Sequence, residues 1–365
     1  MRRWPTSTAR SCAPSWRSLR WVERAQAEGR TETMSHENPA TLQLRVAEAR
    51  SLNPLIRLLR LAPADGAALP GFTAGAHIRV QVTLPDGAKD WRHYSLINPH
   101  ATPGSTDAPS DYVIAVRRED TGRGGSRFMH AGLQVGDALT VEAPKNDFPL
   151  HAGGARAVLV AGGIGVTPLL SMAAQRRAEG APVAMHYAGR SRALMAFLPE
   201  LEALLGDALS VHADDEAGRP LDIGALLEGC SPHDRLYVCG PKVMLDAVLA
   251  ACQARGWNTH ERVHFELFTT PEVEEGDQPI ELVLAQSGQT YTVAADQTIL
   301  DCLIDNGCDP LFDCKRGECG VCATPVLEGE IDHRDYVLTA REKAEGNVMQ
   351  ICISRCKGRR LVLDI

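Results

Sequence analysis

Cys314, Cys319 and Cys322 are separated by four and then two residues, and Cys352 follows after a further 29. This C-x4-C-x2-C…C spacing is that of a plant-type [2Fe–2S] centre. Two sulfide-bridged irons need four thiolates, and one loop can supply three of them only if its backbone curls around the cluster. Gly317 and Gly320 lie inside that loop, where the lack of a Cβ permits close approach. Zinc is the competing ligand, but zinc sites usually pair two C-x2-C units or mix Cys with His. This loop has a single C-x2-C, extended upstream by a third cysteine. The metal-ligating set is therefore Cys314, Cys319, Cys322 and Cys352. Cys356 and Cys308 lie close enough in sequence to compete, and the 29-residue gap favours Cys352.

Two further clusters suit an electron-transfer reaction. Gly162-Gly163-Ile164-Gly165-Val166-Thr167-Pro168 joins an apolar run to a helical pattern. A turn of this kind lets backbone amides and a helix N-terminus approach a pyrophosphate. Cys239-Gly240-Pro241 occupies a second strand-to-helix turn, and two such turns on one sheet edge make a dinucleotide cleft. Upstream, Arg92-His93-Tyr94-Ser95 combines a cation, aromatic rings and a hydroxyl on one strand. Gly122-Arg123-Gly124-Gly125-Ser126 has the composition of an amide nest for phosphate. Tyr94 offers a flat face to a ring system, and Arg92 a bidentate guanidinium to a phosphate. On their own residues, a surface strand and an ordinary loop explain these two segments equally well.

The elements that must position these residues fall into three groups. Leu42–Val46, Ile56–Leu61, His77–Thr83, Tyr112–Arg117 and Ala138–Glu142 read as short strands with turn residues between them, the pattern of an antiparallel β-barrel. From residue 156 strands alternate with helices: Ala157–Ala161, a helix through Arg177, Val183–Tyr187, a helix Ala193–Leu204, Leu236–Cys239 and a helix Lys242–Arg255. This is a doubly wound α/β domain. Residues 269–278 are Pro- and Glu-rich and read as a linker. Beyond them, Glu281–Leu284 and Tyr291–Val293 form a hairpin before a helix Ile299–Asn306. The expected division is an extension over 1–38, a β-barrel over 39–150, an α/β domain over 151–268, the linker, and a β-grasp ferredoxin domain over 279–365.

Composition narrows the function classes. The 365 residues are 44% hydrophobic with a formal net charge of −8, which supplies ample core and argues against a nucleic-acid partner. No apolar run reaches the ~20 residues that span a bilayer, so no membrane role is expected. Eleven cysteines without a small-scaffold framework, four of them in the cluster motif, point to a reducing compartment, with the cytoplasm as the default. The first 33 residues hold three of the five Trp and seven Arg without any periodic pattern. They read as sequence upstream of a natural start at Met34.

Taken together, the chain resembles the phthalate dioxygenase reductase family, which includes vanillate O-demethylase reductases, within the ferredoxin–NADP reductase superfamily. The resemblance covers about Thr41 to Ile365. It rests on Arg92-x-Tyr94-Ser95, the Gly122–Ser126 loop, the Gly162–Pro168 turn, Cys239-Gly240-Pro241, His264-Phe265-Glu266-Leu267-Phe268 and the terminal cysteine module. It implies FMN held by Arg92, His93, Tyr94, Ser95, Gly124, Gly125 and Ser126. It implies NADH bound by Gly162, Gly163, Gly165, Thr167, Pro168, Arg190, Cys239, Gly240 and Pro241, with catalytic roles for Ser95, Cys239 and Glu266. Buried packing is the alternative role for the Cys239 thiol. Gly189-Arg190-Ser191-Arg192 stands where an NAD site would carry an acid, so NADPH is the alternative nucleotide. The implied protein is a monomeric reductase that passes electrons to a Rieske-type terminal oxygenase. A cytochrome P450 is the alternative acceptor, and a zinc-stabilised nucleotide-binding regulator is the non-enzymatic alternative.

Overall fold

The computed structural model describes residues 40–97, 109–268 and 276–365. The N-terminal extension and most of the expected linker lie outside the described residues. Residues 40–268 form one compact unit and 276–365 a second. Among the described residues, no helix is long and apolar enough to cross a membrane.

The first unit begins with six strands: β1 (Thr41–Asn53), β2 (Ile56–Pro63), β3 (His77–Thr83), β4 (Lys89–Ser95), β5 (Tyr112–Arg117) and β6 (Ala138–Glu142). They form one antiparallel sheet in the order β4-β3-β6-β1-β2-β5. Alternating apolar residues fill its interior, among them Leu44, Leu59, Ile78, Val80 and Ile114, each at most 1% exposed. Every strand read from the sequence is present.

Five parallel strands follow: β7 (Ala157–Gly162), β8 (Val183–Gly189), β9 (Leu209–Ala213), β10 (Arg235–Cys239) and β11 (Val263–Glu266), in the order β11-β10-β7-β8-β9. The chain steps outward from β7 on one side and then crosses to β10 on the other. The switch point lies between the C-terminal ends of β7 and β10, where open α/β sheets bind ligands. The helix expected from Ala193 instead begins at Leu198. A 3-10 turn precedes it, Phe197 takes a left-handed conformation (φ 59°), and Pro199 sits in the first helical turn, where its missing amide costs nothing. Packing is continuous across the expected 150/151 boundary. Ile56, Leu58, Ile97 and Phe148 from the barrel segment share one apolar cluster with Leu159, Met172, Tyr187 and Cys239.

The second unit is a mixed sheet of β12 (Ile280–Leu284), β13 (Thr290–Val293), β14 (Ala323–Glu328), β16 (Val348–Gln350) and β18 (Arg360–Leu363), in the order β13-β12-β18-β14-β16. A short pair, β15 (Ile331–Asp332) and β17 (Arg355–Cys356), lies beside it. Parallel pairing of β12 with β18 inside an otherwise antiparallel sheet, with helix Ile299–Asp305 against it, is the expected β-grasp. The end of the expected linker is held by charge. Arg334 grips the Asp277 carboxylate with two nitrogens at 3.0 and 2.6 Å, and Arg355 adds a second cation at 3.7 Å.

Candidate cofactor and electron-transfer site

In the second unit the backbone between Cys314 and Cys322 takes the left-handed conformation at Lys315, Gly317 and Gly320. Repeated left-handed turns curl the loop so that its sulfurs converge. Gly317 has a second reason to be glycine, because a Cβ there would lie 2.8 Å from Ile353, the neighbour of Cys352. Cys314, Cys322 and Cys352 are buried, while Cys319 is half-buried at the rim. Hydrogen bonds from Cys319 and Cys352 hold Cys314 far below the usual thiol range, and Cys352 lowers Cys322. Cys319 and Cys352 are pushed up by the same neighbours. Among the described residues, no three His, Cys, Asp or Glu side chains are arranged to hold a single ion. The four sulfurs instead form one continuous run of neighbours, Cys319 to Cys314 to Cys352 to Cys322. That donor set suits two bridged irons and fits the [2Fe–2S] group. Cys356 donates to the Arg360 carbonyl at 3.2 Å within the apolar core, a packing role.

On the α/β sheet, the parallel register places Ala161, Cys239 and Glu266 side by side at one edge. Gly162, Gly165 and Gly240 let the two glycine-bearing turns touch each other. A Cβ on Gly165 would lie 2.8 Å from the Gly240 nitrogen and closer still to the Cys239 carbonyl, and one on Gly162 would meet Pro241 at 2.6 Å. These three glycines therefore serve packing as well as any ligand. Gly163, with φ 54° and nothing within 4 Å, is the one that faces open space. Helix Val166–Ala178 starts at this turn, and the Thr167 hydroxyl donates to the Ile164 carbonyl, which ties the turn to the helix. Pro168 sits buried in the first helical turn. Past β8, Arg190 is exposed, whereas both Glu216 oxygens hold Arg192 Nε at 3.0 and 3.1 Å. The acid near Arg192 thus comes from the short helix after β9, in the run Asp214-Asp215-Glu216.

The barrel strand and loop singled out in the sequence meet. A Cβ on Gly125 would lie 2.8 Å from Arg92 Nε, and Gly124 takes φ 104° where the chain turns into the short helix Gly125–Arg127. Arg92 pairs with Asp90 at 2.6 Å. Burial raises the Asp90 carboxyl, but the hydrogen bond and charge of Arg92 outweigh it and leave Asp90 lowered. Pairing with β3 puts Arg92 and Tyr94 on the face shared with Val80 and Ile78. His93 and Ser95 lie on the other face, opposite Arg79 and His77. The four residues therefore do not project to one side. Burial raises the Tyr94 phenol, which stays neutral through the physiological range. The Ser126 hydroxyl accepts from the Glu119 amide and donates to the Glu119 carbonyl, so it closes its own loop. Ser95 is 5% exposed and its hydroxyl has no hydrogen-bond partner among the described residues. An orphaned buried hydroxyl is costly unless a ligand satisfies it, and this observation fits a flavin bound at β4. Sequence reasoning passed over Ile97, which carries the end of this strand into the same apolar cluster as Cys239.

Residues 282–357 match the family described as the 2Fe-2S iron-sulfur cluster binding domain. The chain is 41% identical over 333 residues to the toluene-4-sulfonate monooxygenase system reductase subunit of Comamonas testosteroni, covering 91% of this chain and 100% of that protein. Its fold is similar to that of phthalate dioxygenase reductase, described as a modular structure for electron transfer from pyridine nucleotides to [2Fe-2S] (TM-score 0.66, 35% identity, 89% of this chain and 98% of that one). It is also similar to part of an intact type IV self-sufficient cytochrome P450 monooxygenase (TM-score 0.66, 37% identity). That match covers 94% of this chain but spans only 44% of the larger protein. With these matches across sheet order, cysteine loop and nearly full length, the chain belongs to the family of oxygenase-system reductases typified by phthalate dioxygenase reductase.

Proposed function

We propose that this chain takes a hydride from NADH onto FMN and delivers the electrons singly, through a [2Fe–2S] cluster, to a Rieske-type terminal oxygenase. The observation that carries this reading is the junction of β4 with the α/β sheet: Ile97, two residues past Ser95, packs in the cluster that includes Cys239. FMN supplies the conversion of one two-electron donation into two one-electron steps. Gly124 and Gly125 present backbone to its phosphate beside Arg92, and the Ser95 hydroxyl supplies a hydrogen bond to the ring system. Gly163 and the start of helix Val166–Ala178 receive the nucleotide pyrophosphate. Cys239 and Glu266, adjacent in register, close the site around the nicotinamide. Cys314, Cys319, Cys322 and Cys352 would hold the cluster.

The modules proposed for these steps are residues 39–150, 151–268 and 279–365, acting in a cytoplasmic monomer. NADH is the proposed donor because Glu216 already neutralises Arg192, which leaves Arg190 as the one cation of the Gly189–Arg192 segment for a 2′-phosphate. The test uses the full chain. Its spectrum should show flavin and cluster bands, released cofactor should be FMN, and NADH should be oxidised with ferricyanide as acceptor. A purified, folded chain with zinc and no flavin would overturn the reading. Donation to a cytochrome P450 is the second reading, favoured by the match to the self-sufficient monooxygenase. Reduction of a purified Rieske oxygenase against a purified P450 separates the two.

A further inference from the structure

We propose that the Gln350 carboxamide donates an N–H to the Cys322 sulfur when that sulfur ligates iron, and that this bond raises the reduction potential of the cluster. The inference rests on the cluster reading above. Gln350 is 1% exposed, which is unusual for an uncharged polar side chain of its length. It is the last residue of β16, and Ala323, the residue after Cys322, is its partner across the strand pair. Its backbone carbonyl accepts from the Ile353 and Ser354 amides at 3.2 and 3.0 Å, in the turn that carries Cys352. Both ends of this residue are therefore tied to cluster-bearing chain.

The side chain is half satisfied. Its Oε1 accepts from the Cys322 thiol at 3.4 Å, while Nε2 is buried with no partner among the described residues. That orientation suits a protonated sulfur. An iron-bound cysteine is a thiolate and has no proton to donate, so Oε1 would then face a second acceptor. Rotating the terminal amide by half a turn places Nε2 against the sulfur, which replaces the repulsion with a charge-assisted contact and satisfies the orphaned amide. Among the described hydrogen bonds, Cys314 receives a backbone amide, from Arg316 at 3.3 Å, whereas the Cys322 sulfur meets a side-chain amide. Adding one electron to the cluster adds one negative charge and takes up no proton. A donor aimed at a ligand sulfur stabilises the reduced form more than the oxidised one.

The test is a redox titration of the full-length holoprotein, followed by the EPR signal of the reduced cluster, for the parent chain and Gln350→Leu. Leucine fills a similar volume with no donor. The expected result is unchanged iron content, an unchanged flavin potential in the same titration, and a negative shift of the cluster midpoint by about tenfold in the reduction equilibrium, or about 59 mV for a one-electron couple. A loaded Gln350→Leu variant with the parent's midpoint would overturn the proposal. Should that variant fail to take up iron, the parent decides alone. With ¹⁵N placed only in glutamine side-chain amides, pulsed EPR of the reduced cluster should detect a coupled ¹⁵N, and its absence refutes the bond. A parent chain lacking any [2Fe–2S] spectrum would instead sink the cluster reading.

Discussion

Replacing Gly165 with alanine tests whether the two glycine-bearing turns must touch for the nucleotide to bind. The new Cβ would lie 2.8 Å from the Gly240 nitrogen and nearer still to the Cys239 carbonyl carbon and oxygen. These are backbone atoms, so relief must come from moving the whole β10 turn away from the β7 turn. Overpacking of this kind costs about 1–3 kcal/mol. For a unit of this size that is roughly a 3–10 °C fall in melting temperature. If the displaced turns also lose their fit to the pyrophosphate, kcat/KM for NADH should drop by about 5- to 150-fold, at a factor of ten per 1.36 kcal/mol.

Gly163→Ala is the informative partner. Its Cβ meets nothing within 4 Å, yet its φ of 54° strains an alanine by about 1–2 kcal/mol. It should raise KM for NADH by placing a methyl group on the open side of the turn, with a smaller thermal shift than Gly165→Ala. The assays are thermal unfolding and steady-state NADH oxidation with ferricyanide. A Gly165→Ala chain that keeps the parent's melting temperature and NADH kinetics would refute the turn-against-turn geometry.

Asp277→Ala removes one of two carboxylates from Arg334, which keeps Asp332 at 2.6 Å, and the carboxylate 3.7 Å from Arg355. Breaking a buried pair outright typically costs about 3–5 kcal/mol, and the retained Asp332 holds this loss below that range. The cluster absorption should bleach at lower temperature, and an unchanged bleaching curve would show the clamp to be idle. Cys352→Ser should lose iron and electron export, while Cys356→Ser, which keeps a donor toward the Arg360 carbonyl, should keep both; iron per chain decides. Glu216→Gln releases Arg192 and should raise kcat/KM for NADPH relative to NADH, and an unmoved ratio would remove this ion pair from nucleotide choice. His264 stacks on His151 at 4.0 Å, and burial lowers its pKa from 6.5 to about 4. Because the folded chain disfavours the charged ring, stability should be full above pH 6.5 and fall as the pH drops from there toward 4. His264→Phe should flatten that part of a stability–pH curve.

Much of this was legible because it depends on spacing and on residues with narrow roles. The cysteine intervals, the glycine-rich turns and the Val/Ile-rich runs fix local chemistry before any tertiary contact exists. What stayed hidden depends on partners distant in sequence. Strand Leu209–Ala213 alternates apolar and polar over only five residues, too short a run to stand out from the helix before it, and pairing with β8 fixes it as a strand. The opposite facing of Tyr94 and Ser95 is the ordinary alternation of a strand; pairing with β3 adds which neighbours each face meets, Ile78 beside Tyr94 and His77 beside Ser95. Asp277 looks like another acid in a polar linker until Arg334 and Arg355 converge on it. Gln350 has no motif at all, and only its burial against Cys322 marks it.

The division of labour between the two units follows from the demands of the two transfers. Hydride transfer needs donor and acceptor atoms within about 3–3.5 Å and well aligned, so the flavin strand and the nucleotide sheet must share a rigid frame. Their common cluster, from Leu58 and Ile97 through Met172 and Tyr187 to Cys239, supplies one, and Ser171 reinforces it by accepting the Gly75 amide at 3.2 Å. A single electron moves without forming a bond, so its transfer tolerates a gap that a hydride cannot cross. The cluster is accordingly carried by a unit with its own apolar core, from Ile280 to Leu363, and its own buried ion pairs. Perturbing the shared frame should therefore damage NADH kinetics with every acceptor. Perturbing the cysteine loop should spare ferricyanide, which can draw electrons from the flavin, and abolish delivery to the oxygenase. A variant of the cysteine loop that lost both activities while retaining flavin would show that the second unit helps build the hydride site.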